Sequence, residues 1–168
     1  VDIRRALSFQ SNMSYLHDRT TESLGLLYAM HWPFRQPETA RAIRRTPLHE
    51  HLAKANACFG EAGGWERPNW FAPEGVTPEY DHTYGKPVWL NYSGNEHRAV
   101  RQNVGLLDIS TFSKFLLQGR DAERIINYIS TNNMAVTPGR IVYTQWLNEQ
   151  GGISADLTVT RLAEHAYL

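Results

Sequence analysis

Residues 140–162 carry the pattern that most narrows what this chain can fold into. Over 153–160, Ile153, Ala155, Leu157 and Val159 alternate with Ser154, Asp156, Thr158 and Thr160. A period of two is that of a half-buried β-strand, with the apolar set on one face and the polar set on the other. Asn148-Glu149-Gln150-Gly151-Gly152 precedes it, and its glycines can supply the positive φ that a hairpin turn demands. Residues 140–148 read as the partner strand. Residues 163–168 read as a turn and the start of a third strand, so the spacing predicts an antiparallel meander with one polar face.

Ahead of the meander, 121–129 reads as a helix with Ile125, Ile126 and Ile129 on one face, and 105–109 and 114–118 as short apolar strands. Asn95 is a candidate cap for a helix running through Gln102. Residues 58–94 have a different texture, crowded with Gly and Pro, which disfavour regular elements. Their aromatics (Phe59, Trp65, Trp70, Phe71, Tyr80, Tyr84, Trp89, Tyr92) are too many for a disordered linker, so an ordered, packed loop region is expected. The first stretch, 1–57, reads as helical. Residues 12–30 place Met13, Leu16, Leu24, Leu27 and Tyr28 near helical spacing, with Trp32-Pro33 as the stop. A second helix is expected over 46–57, with Thr46 as N-cap and Pro47 at the first helical position. The fold class expected is α+β: a helical segment (1–57), a Trp-rich connector (58–94), and an incomplete α+β segment (95–168).

Composition bounds the partners. The chain has 17 Lys+Arg against 17 Asp+Glu, a net charge of zero, which gives no electrostatic reason to expect nucleic acid. No apolar run approaches membrane length, so no membrane partner is expected. Cys58 is the single cysteine; an internal disulfide is impossible and a reducing compartment is expected, bacterial cytoplasm or mitochondrial matrix. The chain opens on Val1-Asp2-Ile3 rather than methionine and stops where a strand begins, as a piece of a longer polypeptide would.

Several candidate chemistries are weak on the residues alone. There is no G-x-G-x-x-G and no P-loop, so this stretch is not expected to cradle a pyrophosphate, and 60–64 reads as a turn. His49-Glu50-His51 places two histidines on different faces of a helix, where they cannot easily share an ion, and no metal is expected. Cys58 reads as a small buried hydrophobe. Trp65-Glu66-Arg67-Pro68-Asn69-Trp70-Phe71 reads as aromatic anchors with Arg67 stacked or paired, or else as a wall for an aromatic or cationic ligand. Asp156 stands out: one carboxylate flanked by hydroxyls at fixed spacing suits a ligand rich in amide and amino donors, and Tyr143 on the preceding strand could reach the same place. On composition alone the strand is equally an ordinary half-exposed one.

Seven strings of residues carry a resemblance. Arg45-Thr46-Pro47-Leu48-His49, Cys58-Phe59-Gly60 and Gly64-Trp65-Glu66-Arg67-Pro68-Asn69-Trp70-Phe71 resemble the central region of dimethylglycine and sarcosine dehydrogenases, which joins a flavin oxidoreductase domain to a folate domain. Glu96-His97-Arg98, Gly105-Leu106-Leu107-Asp108-Ile109-Ser110, Leu117-Gln118-Gly119-Arg120 and the string from Tyr143 to Thr160 resemble the start of the glycine-cleavage T-protein aminomethyltransferase fold.

The resemblance implies an FAD-dependent oxidoreductase acting on CH–NH groups. Such enzymes oxidise an N-methyl amine and pass the one-carbon unit to tetrahydrofolate, giving 5,10-methylenetetrahydrofolate. Within the folate site it implies Asp156 as the catalytic carboxylate, orienting the ligand's nitrogens and accepting a proton, with Tyr143 and Thr158 as further folate-binding groups. T-proteins often carry two adjacent Asp residues where this chain has Ala155-Asp156, which leaves Asp156 alone. It also implies that the FAD site lies before Val1 and the remaining folate residues beyond Leu168, on the same polypeptide or on sister chains. The partners expected are a methylated amine and folate. Two alternatives share the architecture: a non-enzymatic regulator like the regulatory subunit of pyruvate dehydrogenase phosphatase, against which Asp156 argues, and a stand-alone T-protein, against which residues 1–94 argue.

Overall fold

A computed structural model describes residues 8–168, with side chains from Gln10 onward. The first seven residues of the expected helical stretch lie outside the described residues. The chain divides into two compact units, Val1–Thr111 and Phe112–Leu168.

In the first unit, α1 (Met13–Leu26) starts on Asn12, whose side chain accepts from the backbone N–H groups of Ser14 (3.0 Å) and Tyr15 (3.2 Å). That satisfies two of the helix's orphan donors. The helix stops at Leu26, four residues short of the expected Met30, one residue past Gly25, a weak helix former. Its apolar residues do not form a buried stripe: Met13 and Leu24 are exposed. Polar contacts hold α1 instead. Arg19 pairs with Glu61, and Glu22 accepts from the backbone N–H groups of Glu38 (2.7 Å) and Thr39 (3.0 Å). Burial pushes the Glu22 carboxyl up, but its hydrogen bonds with Thr39 and Glu38, together with Arg19, outweigh burial and hold it below the usual range.

The second helix, α2 (His49–Lys54), is shorter than 46–57 and is not capped by Thr46. The Thr46 hydroxyl donates to Asp108 Oδ2 at 2.5 Å and the residue is buried. Asn56 then takes a left-handed backbone (φ 63), and its carboxamide donates to the carbonyls of Ala72 (3.0 Å) and Val76 (3.1 Å). This turn ends the helix and delivers Ala57 into a strand, since Asn tolerates the left-handed region.

The stretch 58–94 corrects the sequence expectation most. It opens on an antiparallel hairpin, β1 (Ala57–Ala62) with β2 (Trp65–Phe71), closed by Gly63 and Gly64 at φ 58 and 82. Two positive φ values in a two-residue loop are the turn that matches strand twist. Pro68 is tolerated because it sits at a bulge: Cys58 pairs with Trp70 and Phe59 with Pro68, leaving Asn69 as the extra residue. Gly60 is closely approached: a Cβ there would lie 2.1 Å from Asn69 Nδ2 and 2.6 Å from Gln36 Oε1, so both side chains would have to move. Helix α3 (Trp89–Gln102) begins six residues before Asn95. Its start follows Pro87, whose carbonyl accepts from Leu90 N (3.2 Å), and Asp81 Oδ2 accepts from Val88 N (3.2 Å). Cys58, Trp70 and Ala72 form the buried core here, with Val76, Tyr80, Trp89 and Tyr92 packed on it. Trp70 stacks on Tyr92 with ring centroids 5.8 Å apart.

The expected strand at 105–109 is absent. Leu106 is 95% exposed, and no strand of the first unit pairs with the segment. A strand is defined by its pairing, and this stretch has none.

The second unit is a four-stranded sheet in the order β3-β6-β5-β4, with one helix. The strands are β3 (Leu117–Gln118), β4 (Ile141–Leu147), β5 (Ile153–Ala163) and β6 (Ala166–Tyr167); the helix is α4 (Ala122–Ile129). The expected strand 114–118 shrinks to two residues, fixed by the pairing of Leu117 with Tyr167 and Gln118 with Ala166. The meander β4-β5-β6 forms as the alternation predicts. Ala122 and Ile126 of α4, Met134, Val159 and Tyr167 are its buried core, flanked by Val142, Trp146 and Leu157. Of the three isoleucines expected on one helix face, only Ile126 is buried; Ile125 and Ile129 are exposed. Arg161 locks the outer end of β5, pairing with Glu123 (2.7 Å) and donating to the Val136 carbonyl (2.7 Å).

Candidate functional site

The polar face of the β4–β5 hairpin follows from one packing decision. Val142, Thr144 and Trp146 on β4 and Leu157 and Val159 on β5 turn to the core, with Thr144 fully buried. The period of two then sends Tyr143 and Gln145, with Ser154, Asp156 and Thr158, to the opposite side. The register sets Tyr143 opposite Thr158 and Gln145 opposite Asp156. The three residues expected from the sequence therefore share one exposed face, and a fourth, Gln145, joins them.

The Gln145 carboxamide Nε2 donates to Asp156 Oδ1 at 3.2 Å. Hydrogen bonding to Asp156 pushes the Tyr143 phenol above its ordinary pKa, while a contact with the Gln145 side chain pulls the other way. A phenol is held protonated when its O–H donates to a carboxylate. Asp156 thus has one carboxamide donor across the ladder, with the Tyr143 phenol near enough on the same strand as Gln145 to feel its charge. The backbone of β4 is fixed from its outer edge by the segment after α4. Thr131 N donates to the Gln145 carbonyl (3.1 Å), and Asn132 Nδ2 donates to the Tyr143 carbonyl (2.7 Å).

A carboxylate so placed keeps acceptor capacity for a ligand, because neither neighbour neutralises it. Its oxygens can accept from amide or amine N–H groups, and the adjoining hydroxyls of Tyr143 and Thr158 can donate or accept. Sequence reading missed Gln145; the signal was available in its position two residues after Tyr143, on the same face. Two open hollows of about 420 and 360 Å³ are lined by other residues, respectively around α1 and around Cys58 and Tyr80. The Asp156 face is an open strand surface, not a cavity.

The other candidates resolve into structure. Glu66 is buried and receives both Arg41 Nε (2.8 Å) and Nη2 (2.5 Å), plus Ala42 N (2.7 Å). The cation over Trp65 is Arg44, 4.2 Å from the ring centroid; Arg67, expected to stack or pair there, is exposed. His49 stacks on Phe59 at 4.5 Å, and among the described residues no cluster of His, Cys, Asp and Glu is arranged to hold a metal ion. Cys58 is buried, and burial pushes its thiol up.

Known proteins supply the family. The GCVT N-terminal domain matches residues 48–168, and the FAD dependent oxidoreductase central domain matches residues 1–46. The chain is 46% identical over its whole length to 4-methylaminobutanoate oxidase (formaldehyde-forming) of Paenarthrobacter nicotinovorans, covering 20% of that protein. It is 35% identical to the mitochondrial sarcosine dehydrogenase of Homo sapiens, over 96% of this chain and 20% of the relative. Against the mitochondrial pyruvate dehydrogenase phosphatase regulatory subunit of Mus musculus it is 31% identical, over 99% and 20% respectively. The chain thus spans about a fifth of the length of these relatives. The crystal structure of glycine cleavage system aminomethyltransferase T from Bartonella henselae matches 75% of this chain and 30% of its own with a TM-score of 0.50 at 22% identity, a likeness of fold. This chain belongs to the GCVT N-terminal domain family, joined on its N-terminal side to sequence of the FAD dependent oxidoreductase central domain.

Proposed function

We propose that this chain is part of a flavin-dependent enzyme that oxidises an N-methyl amine and passes the one-carbon unit to tetrahydrofolate, with Asp156 as the carboxylate of the folate site. The observation that carries the reading is the cross-strand arrangement of Asp156 with Tyr143, Gln145 and Thr158 on the exposed face of the hairpin. Its donor set fits the ligand class. A reduced pterin presents several N–H donors, and Asp156 presents carboxylate oxygens beside hydroxyls that can take either role. The identity to an oxidase of a methylamino acid and to a sarcosine dehydrogenase supports the amine half of the reading. The flavin supplies the oxidising chemistry, and no residue of this chain is assigned to hold it.

In this reading Asp156 accepts hydrogen bonds from the ligand's nitrogens and then takes a proton from the amine that attacks the one-carbon unit. Tyr143 and Thr158, opposite each other in the ladder, orient the ligand through their hydroxyls. In the full-length protein, Asp156→Ala is expected to lower tetrahydrofolate-dependent product formation by about 100-fold or more, the scale of a lost general base. Reduction of the flavin by the amine should continue. Wild-type rates in both half-reactions would remove Asp156 from the site.

The identity to a phosphatase regulatory subunit supports a second reading, a non-catalytic regulator. That reading predicts no amine-dependent bleaching of the flavin in the intact protein, for any N-methyl amine. Amine-dependent bleaching would exclude it.

A further inference from the structure

The Gln145–Asp156 pair is more than a chance surface contact, because Gln145 is held from three directions. Its N–H donates to Thr131 Oγ1 (3.3 Å) and its carbonyl accepts from Thr131 N (3.1 Å), so both backbone groups face away from β5. In an antiparallel ladder that makes Gln145 and Asp156 a non-hydrogen-bonded pair, the kind whose side chains approach most closely. The carboxamide then closes onto Asp156 Oδ1 at 3.2 Å. Gln145 is half-buried, whereas Asp156 is exposed.

A free aspartate on a strand rotates its carboxylate broadly about χ2. A donor on Oδ1 restrains that rotation and leaves further lone pairs for a ligand. A neutral carboxamide does this through one oxygen, without occupying both as a guanidinium fork would. We propose that Gln145 is a positioning residue, fixing the Asp156 carboxylate for the folate-dependent step. The inference rests on the folate-site reading of Asp156.

The test uses the full-length protein and three variants, measuring tetrahydrofolate-dependent product formation (kcat and KM for tetrahydrofolate) beside amine-dependent flavin reduction. Gln145→Met keeps the length of the side chain and removes its donor. The expected result is a fall in folate-dependent kcat of about tenfold, the scale of one neutral hydrogen bond, with flavin reduction at the wild-type rate. Gln145→Glu separates positioning from packing. The ionisable groups facing position 145 are Asp156 across the ladder and Tyr143 on the same strand; the residues behind it, Thr131 and Asn132, do not titrate. At neutral pH the new carboxylate repels Asp156 and the loss should exceed that of Gln145→Met. As pH falls, a protonated Glu becomes an isosteric donor, so its activity relative to wild type should recover. Equal losses in both variants with no recovery at low pH would mean a packing role and would overturn the inference. So would wild-type kcat in Gln145→Met alongside a large loss in Asp156→Ala, an outcome that leaves the folate reading standing. Wild-type folate-dependent turnover in Asp156→Ala would overturn both.

Discussion

Each unit of the chain contains a hairpin whose turn carries a pair of glycines, and each hairpin carries an acid whose neighbours differ in kind. On β1–β2 the acid is Glu66, buried under a bidentate Arg41 and the Ala42 N–H. On β4–β5 it is Asp156, exposed, with a carboxamide donating to it and a phenol near by. The guanidinium fork fills the oxygens of Glu66, so that acid ties strand to loop and has little left to offer a ligand. Uncharged donors leave Asp156 with both charge and open lone pairs. Which partner a carboxylate receives, more than where it lies in the hairpin, separates an acid whose oxygens are filled from one still open to a ligand.

The comparison is broken most forcefully at Arg41. Removing it strands a buried carboxylate, which costs about 3 kcal/mol or more. Arg41→Ala should therefore cut the protection of the β1–β2 amides in native-state hydrogen exchange by a factor of about 100. The same pair gives a pH dependence of known sign. Burial raises the Glu66 carboxyl, but hydrogen bonds from Arg41 and Ala42 and the Arg41 charge lower it further, and its pKa in the folded chain lies below the ordinary value. Its contribution is present above the unfolded-state pKa and fades as pH falls through the lower folded-state one. Protection of these amides should be flat through neutrality and decline in acid. Protection that instead fell on going from pH 8 to 6 would contradict the pairing.

How far these two hairpins could be read in advance differs for physical reasons. β4 and β5 were legible because each has one face in the core and the other in water, so hydrophobicity alternates along the chain. β1 and β2 were not. Pro68 and three glycines mark the stretch as irregular, and only the pairing shows that Pro68 sits beside the Asn69 bulge and that Gly60 clears a close approach. The partner of Glu66 lies 25 residues away at Arg41, a pairing that no local pattern announces. Strand periodicity put Asp156 and Thr158 on one face, and the family resemblance nominated them together with Tyr143. Gln145 could not be matched to Asp156 without the register.

A smaller effect tests what the hairpins share. Gly63 and Gly151 both have left-handed backbones, φ 58 and 78, with open space where a Cβ would go. Alanine at either should cost about 1 kcal/mol through backbone strain alone, without any steric clash. The measurement is local hydrogen exchange in each hairpin. A loss at position 151 much greater than at 63 would show that the β4–β5 turn does more than reverse the chain.

The smallest stability effect is expected at Asp156, and its smallness is what matters. The residue is exposed and its bonds are to groups that water can satisfy, so Asp156→Ala should change local stability by no more than about 0.5 kcal/mol. Its effect should appear instead in the titration of Tyr143. The bond to Asp156 is the largest influence raising that phenol, and removing it lets the pKa move back down toward the ordinary tyrosine value. Tyrosinate absorbance of Asp156→Ala against wild type, with Tyr143→Phe to assign the signal, should show one tyrosine titrating at lower pH. An unchanged Tyr143 would mean that phenol and carboxylate are not bonded in solution, and a stability loss comparable to that at Arg41 would make Asp156 a structural acid like Glu66.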